Sequence, residues 1–387
     1  MTAVYIHFPF CLQRCQYCDF ITYANLSHFI PAYLEAVKKE ISLMLRDVAP
    51  ADTVYFGGGT PSLLSAEQVG ELLSVIDQAI GISDDAEITL EANPGTVNIV
   101  KLRNMRQSGV NRLSFGVQSF FDDELEALGR IHSADQAKAG IREAQLAGFE
   151  NISLDLIFGL PGQSLKTWEE NMRQVSKLGI QHLSLYSLII EPGTPFERLF
   201  EEGKLNLPED DLVADMFELA MSFLPKFGFE QYEISSWALG IERESRHNKI
   251  YWQNKDYFGF GAGAAGNIGN QRYQNLATIP EYIGKMKQAS GERSDISPAA
   301  DEVLEIDERT AMQESLMLGL RMTREGVSAT AFKSRYNQDM RVVFGGEIGR
   351  ILQNGLAEWR DFPDGEHLVL THRGIMLGNQ AFQEFVD

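Results

Sequence analysis

The chain has 387 residues, 44% of them hydrophobic and 23% charged, an ordinary globular balance with room for one large domain and a smaller one. Its net charge of −20, from 54 acidic against 34 basic residues, opposes a polyanionic partner and argues against nucleic-acid binding. No apolar run reaches the roughly 18 residues of a membrane span, and the N-terminus lacks a basic, cleavable leader, so a cytoplasmic protein is expected.

The N-terminal half alternates short β-branched runs with amphipathic stretches. Strands are expected at 4–8, 53–56, 87–91, 112–116, 151–158 and 182–188. Helices are expected between them, at 31–46, 66–80, 99–107, 134–147 and 165–178. Ser65 with Gln68 and Ser133 with Gln136 have the form of capping boxes and mark two helix starts. Six βα units in series imply a parallel sheet with right-handed crossovers. The fold class expected is therefore α/β, a partial (β/α)6 barrel of TIM type, with ligands at the C-terminal ends of its strands. This part spans residues 1–235 and closes with a helix at 212–227.

Residues 236–300 are irregular and aromatic, with Trp237, Tyr251, Trp252, Tyr257 and Phe260, and end in a polar, breaker-rich linker at 291–301. Residues 301–387 are expected to form a smaller α+β domain. Helices at 308–322, 328–335 and 346–354 precede a hairpin of 357–360 and 366–371, which resembles a winged helix.

All three cysteines, Cys11, Cys15 and Cys18, lie on one short loop after the first strand, and no other cysteine occurs. An odd count without a leader argues against a disulfide framework. Three thiolates on one curled loop can each hold one iron of a [4Fe–4S] cube, whose fourth iron is left for an outside ligand such as the amine and carboxylate of a methionine. The competing reading is zinc, with His7 as the only nearby fourth ligand and on a strand that points away.

The CxxxCxxC loop after a first strand resembles the radical-SAM superfamily. The resemblance implies a [4Fe–4S] cluster on the three cysteines that binds S-adenosylmethionine (SAM) and cleaves it to a 5′-deoxyadenosyl radical, with an electron donor as partner. It extends to Gly57-Gly58-Gly59-Thr60-Pro61 after the second strand, where glycines would let backbone approach the methionine end of SAM. It places Glu91 on the ribose hydroxyls and Tyr5, Tyr17, Gly58, Gly59, Thr60, Gln118, Arg130 and Asp155 around the same cofactor.

Within the superfamily, YIHFPFC at 5–11, RLSFGVQS at 112–119, DLIFGLPGQ at 155–163 and YSLIIEPGTP at 186–195 resemble the oxygen-independent coproporphyrinogen III oxidases and the related HemW-type haem chaperones. The oxidases carry a further cysteine where this chain has Phe20, and an extension ahead of the position of Tyr5. Residues 246–252, RHNKIYW, match the HNxxYW motif of the chaperone branch, which implies His247 as a haem ligand, with Tyr251 and Trp252 beside the macrocycle and Arg246 or Lys249 on its propionates. The resemblance thus implies a protein able to cleave SAM that binds haem and passes it to haem-dependent respiratory proteins. Coproporphyrinogen oxidase chemistry is the alternative, and a winged-helix nucleic-acid factor is disfavoured by the charge. Peripheral membrane contact stays open, although no basic amphipathic anchor is evident. Gly261–Gly266 satisfies GxGxxG but lacks the acidic residue of a dinucleotide site, and is expected to be a closely packed loop.

Overall fold

Successive strands of the N-terminal half are parallel neighbours, as near-continuous apolar runs between helices require. The computed structural model describes residues 2–44, 48–290 and 296–386. Strands β1 (Thr2–Phe8), β2 (Ala51–Gly58), β3 (Ile82–Ala92), β4 (Arg112–Gln118), β5 (Ile152–Phe158) and β6 (His182–Ser187) pair in that order, each parallel to the next. The helices between them are α1 (Ile30–Leu43), α2 (Ala66–Ala79), α3 (Ile99–Gln107), α4 (Asp122–Ala127), α5 (Ala134–Leu146) and α6 (Leu165–Val175). Both expected capping boxes form, and Ser164 with Thr167 makes a third. The expected helix 31–46 ends at Leu43, its last two positions lying outside the described residues. Helices α7 (Pro195–Glu201) and α8 (Asp210–Phe223) follow β6.

The segment 236–300 differs from the expected irregular linker. A hairpin of β7 (Glu230–Glu233) and β8 (Ser236–Ala238) flanks β6. After α9 (Arg246–Trp252), β9 (Tyr257–Phe260) pairs parallel to the outer side of β1 and adds a seventh parallel strand. Strands β10 (Ala265–Ile268), β11 (Gln271–Asn275) and β12 (Ala300–Glu305) continue the sheet antiparallel, with α10 (Ile279–Gln288) inserted. The resulting twelve-stranded order, β12-β11-β10-β9-β1-β2-β3-β4-β5-β6-β8-β7, is linear, so the barrel is partial. Of the expected linker, 291–295 lie outside the described residues, while 300–301 already belong to β12. Strands of only four to six residues, YFGF, AGNI, QRYQN and ADEVLE, show no sustained apolar–polar alternation that could be read from sequence.

The GxGxxG loop does follow a strand, β9, but leads into β10 and not into the helix that a dinucleotide site needs. A Cβ on Gly261 would sit 2.3 Å from Tyr33 Oη and 2.6 Å from the His7 carbonyl oxygen, so the loop is pressed against β1 and α1. Glu40, fully buried in α1, holds this region together. Its carboxylate accepts from Gly261 N (2.9 Å), Asn275 Nδ2 (2.7 Å), Tyr282 Oη (2.6 Å) and Ser297 Oγ.

The C-terminal part has its own apolar core, including Met312, Leu316, Phe332, Ile351, Leu368 and Phe382. It comprises α11 (Glu308–Gly319), α12 (Ala329–Tyr336), α13 (Met340–Val343) and α14 (Gly345–Gln353). Their partner is a three-stranded antiparallel sheet of β13 (Val327–Ser328), β15 (Gly365–Leu370) and β14 (Ala357–Phe362), helices before hairpin as expected.

Four buried donors converge on Glu40, and a buried donor left unsatisfied costs about 1–3 kcal/mol. Glu40→Ala should therefore lower the unfolding free energy by roughly 3 kcal/mol or more, read as a lower urea midpoint, with Glu40→Gln falling between it and the parent chain.

Candidate functional site

The cysteine loop leaves the C-terminal end of β1 and is gripped from three sides. Below it, Gly59 N donates to the Phe8 carbonyl (2.8 Å) and Thr60 N to that of Phe10 (2.9 Å). A Cβ on Gly59 would lie 2.7 Å from Phe10 O and 3.0 Å from Cys11 Sγ. Gly59 thus admits the protein's own cysteine loop, while Gly58 and Gly59 also line the cavity on which the loop opens. On the far side, Gln16 N donates to Leu128 O (3.1 Å), and Phe196 N of α7 donates to Gln16 O (3.1 Å). Within the loop, Arg14 Nη2 donates to Cys18 O (2.9 Å).

All three thiols are free and line one cavity of about 440 Å³ at the C-terminal ends of the parallel strands. The same cavity brings together Tyr17, Gly58, Gly59, Thr60, Glu91, Gln118, Arg130 and Asp155. The thiols have donors suited to thiolates: Arg130 Nη1 lies 3.3 Å from Cys15 Sγ and Thr60 Oγ1 3.6 Å from Cys11 Sγ. Arg130 is itself fixed by Gly116 O (2.6 Å) and the Asn93 side chain. Among the described residues no group of three His, Cys, Asp or Glu side chains converges on a single metal ion. His7, the candidate zinc ligand, points inward, with Nε2 2.8 Å from Ile21 O and Nδ1 2.9 Å from Tyr5 Oη. Three thiols around an open cavity, with basic and hydroxyl donors behind them, fit a multi-iron cluster with one iron left free.

Glu91 and Asp155 are two of the carboxylates that line this cavity. Burial pushes Glu91 up to about 7, although Tyr55 Oη (2.8 Å) and Gly58 N (3.2 Å) donate to it. Burial likewise raises Asp155 to about 6, against the opposing effects of Ser184 and Arg112. Gln118 stands at a bulge in β4 with φ of 68°, a conformation unusual for a residue with a Cβ and typical of functional strain.

Tyr5 and His247 lie elsewhere, in the polar floor beneath the cavity. Tyr5 sits under Gly57, its hydroxyl bonded to His7. His247 is 1% exposed and belongs to a helix, α9, within the stretch expected to be irregular. Its Nδ1 is 2.8 Å from Thr53 Oγ1, its Nε2 2.8 Å from Tyr251 Oη, and its ring stacks on Tyr55 at 4.9 Å. Burial first, then the nearby Arg112 guanidinium, lowers its pKa to about 3, so the imidazole is neutral but has no free nitrogen in this conformation. The rest of the motif is also engaged. Arg246 bonds to Asp85 O (2.7 Å), Lys249 pairs with Glu244 (2.7 Å) and Glu325 (2.9 Å), and Trp252 lies 4.3 Å under the Arg321 guanidinium. The expected propionate partners are thus already paired within the chain.

Comparison with known proteins places this geometry. A family profile described as the radical SAM superfamily matches residues 5–175, and one described as the HemN C-terminal domain matches 306–377. The "Heme chaperone HemW" of Bacillus subtilis (strain 168) is 40% identical over 390 residues, covering 100% of this chain and 99% of that protein. The chain belongs to the HemW family of the radical SAM superfamily. Its HemW relatives include that of Escherichia coli (strain K12), 41% identical over 69% of this chain and 70% of that protein. A Danio rerio protein named "Radical S-adenosyl methionine domain-containing protein 1, mitochondrial" is 33% identical over 96% of the chain and 82% of its own length. In fold the chain is similar to the coproporphyrinogen III oxidase HemN from Escherichia coli, with a TM-score of 0.82 at 20% identity over 99% of this chain and 89% of that one.

Sequence reading missed the cavity residue Asn93 altogether, and assigned no role to Ser114, Tyr186 and Ile189 although they lie in the motifs at 112–119 and 186–195. Asn93 and Tyr186 could have been found, since each stands at or just past the C-terminal end of a parallel strand. Arg112, 2% exposed in the floor, was seen only as part of a motif.

Because the Gly59 position has no space for a methyl group, Gly59→Ala should displace the cysteine loop while leaving the sheet intact. The expected outcome is severalfold less iron and sulfide per chain after reconstitution, with unchanged far-ultraviolet circular dichroism.

Proposed function

We propose that this chain is a haem chaperone that carries a [4Fe–4S] cluster on Cys11, Cys15 and Cys18 and binds SAM in the adjoining cavity. The observation that carries the reading is the full-length 40% identity to a protein named heme chaperone HemW, together with a cavity that gathers the three thiols and the polar residues suited to SAM. When reduced, the cluster supplies an electron that can cleave SAM. The chain's own residues hold and orient: Arg130 and Thr60 steady thiolates, and Glu91, Asp155 and Gln118 offer acceptors and donors to the sugar and amino-acid groups of SAM. Its partners on this reading are an electron donor and haem-accepting respiratory proteins, met in the cytoplasm. No helix among the described residues is long and apolar enough to cross a membrane. Phe20, 63% exposed at the mouth of the cavity where the oxidases have cysteine, supports the chaperone reading over oxidase chemistry.

A haem-ligand role for His247 requires α9 to open, because Tyr251 occupies Nε2 and the ring is buried. Haem titration tests both levels. The parent chain should show a Soret band that His247→Ala loses or shifts. Tyr251→Phe, which releases Nε2, should bind haem at least as tightly as the parent. An unchanged band in His247→Ala would remove this ligand from the proposal, and no band in any of the three would remove the chaperone reading. Reconstituted protein with reductant should not convert coproporphyrinogen III.

SAM binding should depend on pH through Glu91. A ribose diol donates to the carboxylate form and the sulfonium charge favours it, so affinity is full above the free-protein value of about 7 and is lost as pH falls through it. Equilibrium dialysis between about pH 8 and about pH 6 should show weakening of up to about tenfold per pH unit in the parent, and a flatter, weaker profile in Glu91→Gln.

A further inference from the structure

The lip of the cavity continues into a second concavity. Ile189 and Glu191 line the cavity, and between them Ile190 lines a groove of about 710 Å³ formed by α7, the start of α8 and the turn between them. The groove floor is apolar, with Phe200, Leu205, Leu207 and Pro208, and Phe200 is 54% exposed. Its walls are acidic, with Glu201, Glu209 and Asp210 all exposed. Residues 191–218 hold nine acidic and two basic side chains, a net −7 of the chain's −20. One of the two, Lys204, is already paired with Glu202 (2.7 Å).

The opposite face of α7 touches the cysteine loop. Phe196 is 1% exposed, packs beside Tyr17 with ring centres 6.4 Å apart, and shares a small core with Leu128, Ile157 and Leu160. Its backbone N–H donates to Gln16 O. Whatever seats on the outer face of α7 therefore presses on the element that clamps the loop of Cys15.

We infer that this groove is the docking site of a partner protein that presents a basic segment with an apolar anchor, seated over Phe200 and flanked by Glu201 and Asp210. Charge selects the occupant. A second copy of this acidic chain and an anionic membrane surface are both repelled, and so is an acidic redox protein. An exposed aromatic side chain in a concave apolar floor, rimmed by one sign of charge, is the arrangement that recognises an amphipathic segment of opposite charge. Docking there brings the partner to the lip of the cavity without covering its mouth.

Fluorescence anisotropy tests this with a labelled amphipathic helix having one leucine face and one lysine face, in about 0.15 M salt, with a leucine–glutamate helix as control. The parent chain should bind the basic helix and not the acidic one. Phe200→Ser and the double variant Glu201→Lys/Asp210→Lys should each weaken binding at least tenfold. Glu302→Lys/Glu305→Lys, an equal charge change on the exposed strand β12, should leave it within twofold. Equal loss in both double variants would reduce the effect to net charge and overturn the groove assignment. Unaltered binding in Phe200→Ser would overturn it too, as would concentration-dependent dimerisation of the parent that Phe200→Ser abolishes.

Discussion

Everything at the site depends on the close contact between the end of β2 and the cysteine loop. Two backbone hydrogen bonds, from Gly59 to Phe8 and from Thr60 to Phe10, place the loop across the mouth of the sheet. They form only because the glycine carries no Cβ. A short loop held at both walls by backbone contacts keeps its three thiols facing one cavity. The order this imposes reaches outward through Gln16 to Leu128 and to Phe196, so that α7 and the fourth βα unit become part of the same support.

Beneath the cavity the interior of the partial barrel is polar, which is unusual for the centre of a parallel sheet and has a consistent physical pattern. Arg112 is a buried cation beside Glu87 (4.0 Å). Its charge and the burial together keep His182 and His247 neutral. His182 bridges Ser153 (2.7 Å) and Tyr232 (2.8 Å) much as His247 bridges Thr53 and Tyr251. Buried polar groups cost free energy unless paired, and this floor pairs most of them, although Thr89 Oγ1 and Arg112 Nε make no hydrogen bond among the described residues.

Helix α9 connects that floor to the C-terminal domain. Its first turn receives Glu87 on two backbone N–H groups, Lys249 reaches Glu325, and Trp252 stacks on Arg321. Glu244, nearly buried, is shared by Lys249 and by Arg324 of the C-terminal domain. A disturbance of α9 is therefore felt by the cavity floor and the smaller domain together, which gives the HNxxYW segment a mechanical importance beyond any ligand it meets.

By itself the sequence determined the cysteine loop, the six parallel strands with their capped helices and the smaller C-terminal domain. These are signals of local spacing: three thiols within eight residues, apolar runs of strand length and Ser–x–x–Gln helix starts. Its resemblance to the radical-SAM superfamily also indicated Glu91, Gln118, Arg130 and Asp155, which the fold brings from distant segments to the lining of one cavity. Only the tertiary structure decided what the glycines at 57–59 touch, that residues 257–305 extend the main sheet instead of linking domains, and that His247 faces inward. Each of those outcomes depends on which distant segment packs alongside. A histidine near tyrosines reads the same in sequence whether its nitrogens await a metal or are already bonded to Thr53 and Tyr251, and only the arrangement of β2 against α9 separates the two.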